Sequence, residues 1–170
     1  MYIQEANYEK AETALARARL NLDKVKAHRD EVIYRTYFGE LCYRSGRLAE
    51  AKTVLEDALS RAEAIDPNST LAARAMRHLA EVLLRLNLDQ AAARYAARGL
   101  TIIERAGEKV EAGALTRIKA ELSARAGHRA DARTLFTKAI DSLDESGVRF
   151  EKVDTLVAAG RCDAFEPRKR

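Results

Sequence analysis

The chain has 170 residues, of which 47% are hydrophobic and 33% charged, with two prolines and eight glycines. This balance argues against a disordered chain and is typical of a soluble, helix-rich domain. Thirty basic and twenty-six acidic side chains give a net charge of +4, and the two signs are interspersed. That distribution argues against the one-sided basic surface of a nucleic-acid-binding protein.

Two further observations concern the location of the protein. No uninterrupted apolar run approaches the length of a membrane span. The N-terminal segment has neither the basic region nor the apolar region of a signal peptide. We therefore expect a cytoplasmic protein that has no membrane partner.

Apolar residues recur at the spacing of α-helices along the whole chain, and turn-forming residues separate the periodic segments. The predicted helices, in chain order, are 4–27, 29–45, 48–65, 69–86, 89–106, 109–126, 129–146 and 149–162. We predict an all-α fold of about eight antiparallel helices. They form one domain over residues 1–166, which a basic tail at 167–170 follows.

The sequence contains an internal repeat. A residue that accepts the left-handed backbone conformation is followed, five residues later, by alanine; the pairs are Gly46 with Ala51, Asn87 with Ala92, and Gly127 with Ala132. The interval between these alanines is 41 and then 40 residues. Each unit is therefore a helix, a tight turn and a second helix. Such a unit cannot bury its apolar face alone, so neighbouring units stack into a solenoid.

The same interval divides the chain into three units at 29–65, 69–106 and 109–146, with half-units at 4–27 and 149–162. An unpaired half-unit exposes an apolar helix face, and such faces usually mark interaction sites. We therefore predict self-association through the terminal half-repeats. The residues expected there are Ala11, Leu15 and Ala18 at one end, and Val157 and Phe165 at the other.

The small residues at these offsets resemble those of the tetratricopeptide repeat family. The residues that carry the resemblance are Gly39 with Ala51, Leu55 and Ala58; Ala80 with Ala92, Ala96 and Gly99; and Ala120 with Ala132, Phe136 and Ala139. The resemblance implies a right-handed superhelical solenoid. It also implies that the first helices of successive units line a concave groove, in which a protein or peptide binds.

The chain departs from the family pattern in its period, which exceeds the usual value of about 34 residues. It also lacks the early tryptophan and the closing proline of each unit. The longer period resembles the extended-helix variety of bacterial transcriptional and peptide-sensing regulators. Repeats of the HEAT type, with periods of about 40–47 residues, remain an alternative at the level of the fold.

No catalytic motif is present. The histidines His28, His78 and His128 have no cysteine or carboxylate at ligand spacing, and Cys42 and Cys162 match no metal or redox spacing. Glycine-rich phosphate loops and nucleophile elbows are also missing. We predict a protein that is not an enzyme and has no cofactor, with the histidines at the surface or in turns.

One constellation points to a binding site. Glutamates recur in one phase of the first helices, each with an arginine four residues later and, in two units, an arginine four residues earlier. We call this set the arginine ladder: Thr36, Glu40 and Arg44; Arg77, Glu81 and Arg85; and Arg117, Glu121 and Arg125. The candidate groove also contains Tyr37, Tyr43, His78 and Arg161. The family's lysine and asparagine clamp for C-terminal carboxylates is not matched.

The ladder has two interpretations. In one, its members form intrahelical ion pairs on a solvated face, each worth a few tenths of a kcal/mol. In the other, the arginines bind carboxylates or carbonyl oxygens of a peptide. The leading prediction for the whole chain is a non-catalytic scaffold, an interaction or regulatory module of a bacterial cytoplasmic protein. The alternative is a protein that binds nucleic acid directly through basic residues.

Overall fold

The computed structural model of the chain describes residues 7–25 and 27–164. Over these residues it consists of eight α-helices and contains no strand. The helices are α1 (Tyr8–Val25), α2 (His28–Arg44), α3 (Leu48–Ile65), α4 (Thr70–Arg85), α5 (Asp89–Ala106), α6 (Lys109–Arg125), α7 (Arg129–Ser146) and α8 (Arg149–Arg161). The predicted all-α helical-hairpin solenoid is confirmed. Phe165 and the tail at 167–170 lie outside the described residues.

The residues predicted to form the tight turns do so. Gly46 and Gly127 have a φ of 83° and Asn87 has a φ of 58°, so all three occupy the left-handed region. After each of them, the next backbone N–H donates to a carbonyl five residues earlier, as in a Schellman motif; the donors and acceptors are Arg47 to Cys42, Leu88 to Leu83, and His128 to Ser123. The motif ends one helix and starts the next.

Small residues lie where helices approach most closely. Ala51, Ala92 and Ala132 are at most 1% exposed, as their place in the repeat predicts. A Cβ at Gly39 would lie 2.5 Å from Cγ of Leu55, so α2 and α3 are too close there for any larger residue. These positions set the distance between the two helices of a hairpin.

The helices form two rows that differ in how closely they pack. The first helices, α2, α4, α6 and α8, contact one another in sequence. Within the part of the chain that the structure describes, the second helices α3, α5 and α7 contact the first helices but not each other. Since the first helices are the closer row, they form the inner layer of the solenoid.

Helix α1 packs on α2 through a small cluster of its own. Ala11 is 3% exposed and contacts the fully buried Leu41, with Tyr8 and Leu15 beside them. The prediction that Ala11 lies on an open face was therefore wrong, because this residue faces α2. None of the helices in the described residues is long and apolar enough to cross a membrane.

Candidate functional site

The centre of the inner layer is a network of charged side chains that are withdrawn from solvent. Arg77 of α4 is 5% exposed. Its Nε donates to Glu111 of α6 at 3.0 Å, and another guanidinium nitrogen donates to Glu151 of α8 at 3.0 Å. The same nitrogen reaches Glu81 of its own helix at 3.3 Å. One guanidinium therefore connects three of the four inner helices.

Arg117 of α6 repeats this arrangement. It is 7% exposed, donates to Glu81 of α4, and donates to Glu121 at 3.0 Å. Burial alone would raise the pKa of the Glu81 carboxyl, but Arg77 and Arg117 outweigh it and hold that pKa well below its ordinary value. For both arginines, burial lowers the pKa, but the surrounding carboxylates raise it by more. The pKa of each is therefore above its ordinary value.

The network continues into α2. His78 is 2% exposed, with Nδ1 3.5 Å from Glu81 and Nε2 4.0 Å from Glu40. The hydroxyl of Thr36, also buried, donates to the carbonyl of Val32 at 2.8 Å. The prediction of a surface or turn position was therefore wrong for His78, because α2 covers it.

A contact between the first and last inner helices spans the groove. Arg44 of α2 donates to Asp154 of α8 at 2.6 Å and lies 3.9 Å from Glu40. Burial lowers the pKa of Arg44, but the Asp154 hydrogen bond and the nearby carboxylates raise it by more, so the pKa lies above its ordinary value. The floor of the groove is therefore filled by the protein's own side chains.

The structure corrects the prediction of exposed, intrahelical pairs. Arg77 does pair with Glu81, and Arg117 with Glu121, within their own helices. Both arginines are buried, however, and also bind carboxylates of neighbouring helices. The reason is the close packing of the inner row, which brings each guanidinium within reach of the next helix. Sequence reasoning missed the partners Glu111, Glu151 and Asp154.

Beside the network lies a small open cavity of about 170 Å³. Its lining residues are Tyr43, Arg44, Glu81, Leu84, Arg85, Arg117, Glu121, Asp154, Val157, Ala158 and Arg161. Seven of them belong to the candidate groove predicted from the sequence. We refer to this space as the inner cavity.

The cations around the inner cavity differ in what they bind. Arg44 and Arg117 are paired with carboxylates, whereas the exposed Arg85 donates to the hydroxyl of Tyr43 at 3.3 Å. Neither Arg85 nor Arg161 forms an ion pair with any residue in the described part of the chain. These two guanidinium groups at the rim are therefore not neutralised by a carboxylate of the described residues.

Two predicted groove residues lie elsewhere. Tyr37 is 42% exposed and lines a different groove, between α1 and α2. It is separated from the ladder because it follows Thr36 by one residue and points to another side of α2. Arg125 binds Asp89 at 2.8 Å and Asn87 at 3.2 Å, near the turn between α4 and α5.

Potential metal-ligating side chains are dispersed in the described residues. No group of three or more His, Cys, Asp or Glu side chains there could hold a metal ion. Burial raises the pKa of the Cys42 thiol to about 11, so this cysteine stays protonated at neutral pH.

The chain is similar to known helical-repeat proteins. Residues 31–105 match the model of the family described as tetratricopeptide repeat. The crystal structure of BtubC (BKLC) from P. vanneervenii superposes with a TM-score of 0.68 at 15% sequence identity, over 99% of this chain and 80% of that chain. At this identity the likeness concerns the fold alone. No curated protein sequence matches the chain.

Proposed function

Because residues 31–105 match the tetratricopeptide repeat model, we propose that this protein is a non-catalytic scaffold that binds an acidic segment of a partner protein at the inner cavity. Repeats of this family generally mediate protein–protein interactions. On the resemblance of its long repeat, we further infer that the chain is a regulatory or interaction module of a bacterial cytoplasmic protein.

The observation that carries the proposal is the charge at the cavity rim. The lining contains four arginines and three carboxylates, namely Arg44, Arg85, Arg117 and Arg161 against Glu81, Glu121 and Asp154. The carboxylates engage Arg44 and Arg117, so the excess of positive charge rests on Arg85 and Arg161. Guanidinium groups of this kind bind carboxylates by paired, charge-assisted hydrogen bonds.

The size of the cavity favours a side chain over a free small molecule. Its volume of about 170 Å³ is below the range of about 300–1,000 Å³ that is usual for ligand pockets. An aspartate or glutamate of a bound peptide would match this volume and the donors of Arg85 and Arg161.

The nucleic-acid alternative has no support from these contacts. The deep arginines of the ladder are neutralised by carboxylates, whereas a phosphate backbone requires clustered, available cations. Arg85 and Arg161 are two rim residues, which is few for a nucleic-acid surface. The basic tail at 167–170 lies outside the described residues.

The experiment is a selection from a displayed library of random dodecapeptides with the wild-type protein as bait. We expect enrichment of Asp and Glu, and a selected peptide whose affinity falls at least tenfold for Arg85→Ala combined with Arg161→Ala. The matched control is Arg94→Ala combined with Arg105→Ala, two exposed arginines of α5. Equal loss in both double variants, or no enrichment of acidic residues, would contradict the proposal.

A further inference from the structure

The two ends of the solenoid each present an apolar surface to solvent. On α8, Phe150, Val153, Leu156 and Val157 are 49%, 55%, 46% and 46% exposed. At the other end, an open groove of about 390 Å³ lies between α1 and α2. Its apolar lining consists of Leu15, Ala18, Leu22, Ile33, Tyr34 and Tyr37. We call this space the α1–α2 groove.

The repeat identifies which neighbour would bury the α1–α2 groove. Leu15, Ala18 and Leu22 occupy positions of the second helix that are buried in each of α3, α5 and α7. The corresponding residues are Leu55, Ala96 and Phe136; Ala58, Gly99 and Ala139; and Ala62, Ile103 and Leu143. In α1 the same positions are only half-buried. Each interior second helix has a preceding first helix beside it, and that is the element α1 lacks among the described residues.

Helix α8 lacks the opposite kind of neighbour, a following second helix, among the described residues. Val153 stands 40 residues after Gly113 and occupies the same position in the repeat. Gly113 and its equivalents Ala73 and Val32 are buried. Gly113 faces the following second helix, since a Cβ there would lie 2.6 Å from Cγ of Leu143. Among the described residues, α8 is therefore a first helix without its second helix.

Within the described residues the two deficits are complementary, because one end lacks a first helix and the other end is one. We propose that α8 of one copy docks into the α1–α2 groove of a second copy, so that the two helices complete a hairpin unit across the junction. Leu22 occupies the position of Leu143, so the central contact of the junction joins Val153 to Leu22 of the second copy.

The geometry also determines the kind of assembly. The contact joins two different surfaces, so it is heterologous, and each added copy leaves a free groove and a free α8. The product is a chain of copies, either open or closed into a ring, rather than a two-fold dimer. Because the side chain of Val153 is larger than the glycine of the interior contact, the junction packs less closely than α6 on α7 and is reversible.

The test is sedimentation velocity of the full chain at increasing concentration, with one blocking variant at each surface. The wild type is expected to shift progressively to larger species. Val153→Glu and Tyr37→Glu place a charge in an apolar contact at exposed positions, so each variant is expected to stay folded and monomeric. Val153→Ala, which reproduces Ala73, and Leu20→Glu, on the exposed side of α1, are expected to associate as the wild type does.

The decisive measurement is sedimentation velocity of a mixture of the two blocked variants. The Val153→Glu copy keeps its groove and the Tyr37→Glu copy keeps its α8, so together they should form a dimer and nothing larger. A wild type that stays monomeric when concentrated, a mixture that stays monomeric, or equal loss of association in Leu20→Glu would overturn the proposal. Salt distinguishes it from the acidic-peptide site, since screening weakens the charged contact and leaves the apolar junction intact.

Discussion

Replacement of Arg77 by alanine tests the charge network at the centre of the solenoid. The side chain is 5% exposed and lies 3.0 Å from Glu111, 3.0 Å from Glu151 and 3.3 Å from Glu81. The variant leaves three carboxylates in a site that excludes water, with Arg117 as the nearest remaining buried cation. Removing one partner of a buried ion pair costs about 3–5 kcal/mol.

This cost is a large fraction of the stability of a domain, which is about 5–15 kcal/mol. For a chain of this size it corresponds to a fall in melting temperature of roughly 6–20 °C. The assay is urea unfolding followed by far-ultraviolet circular dichroism. The matched control is Arg85→Ala on the same helix, where the exposed side chain makes one hydrogen bond, to Tyr43. We expect the control to remain within about 0.5 kcal/mol of the wild type.

Equal stability of the two variants would refute the reasoning. It would mean that water reaches Glu81, Glu111 and Glu151 and solvates them once Arg77 is gone. The inner row of helices would then be less closely packed than the structure indicates.

Three further outcomes follow from named contacts. Gly113→Ala brings a Cβ within 2.6 Å of Leu143 and 3.2 Å of a backbone oxygen, so overpacking should destabilise the chain by about 1–3 kcal/mol in thermal unfolding. Gly160→Ala meets no atom within 4 Å and should instead stabilise α8 by up to about 1 kcal/mol, so the same sign for both variants would contradict the packing. Burial raises the pKa of Glu81 and Glu111, but Arg77 lowers it by more, so both carboxyls have a pKa below the ordinary value. The free energy of unfolding should therefore fall as the pH drops below about 4.3, the pKa of a glutamate in the unfolded chain. In a pH titration, Glu81→Gln should make that fall less steep.

The helices and turns could be predicted from the sequence because their signals are local. Gly46, Asn87 and Gly127 accept the left-handed conformation that ends a helix, and the structure has a positive φ at each. Ala51 and Ala92 mark the repeat in the sequence, and both are fully buried between helices. A signal that acts within a few residues does not depend on how the hairpins stack.

The environment of the ladder arginines could not be predicted in the same way. Arg77 is buried because α6 and α8 bring Glu111 and Glu151 to it, and their approach depends on the curvature of the whole solenoid. The spacing of the ladder residues along each helix indicated that they lie on the inner face, but not that they are buried. One signal was present in the repeat, since Glu111 and Glu151 are themselves 40 residues apart and occupy equivalent positions in α6 and α8.

The binding role of the inner cavity is tested most directly by nuclear magnetic resonance of the arginine Nε–Hε groups during titration with a selected acidic peptide. Mutation to alanine assigns the signals of Arg85, Arg161, Arg77 and Arg117. We predict that the signals of Arg85 and Arg161 move with peptide concentration while those of the buried Arg77 and Arg117 move little. Peptide binding that leaves the Arg85 and Arg161 signals unchanged would contradict the account.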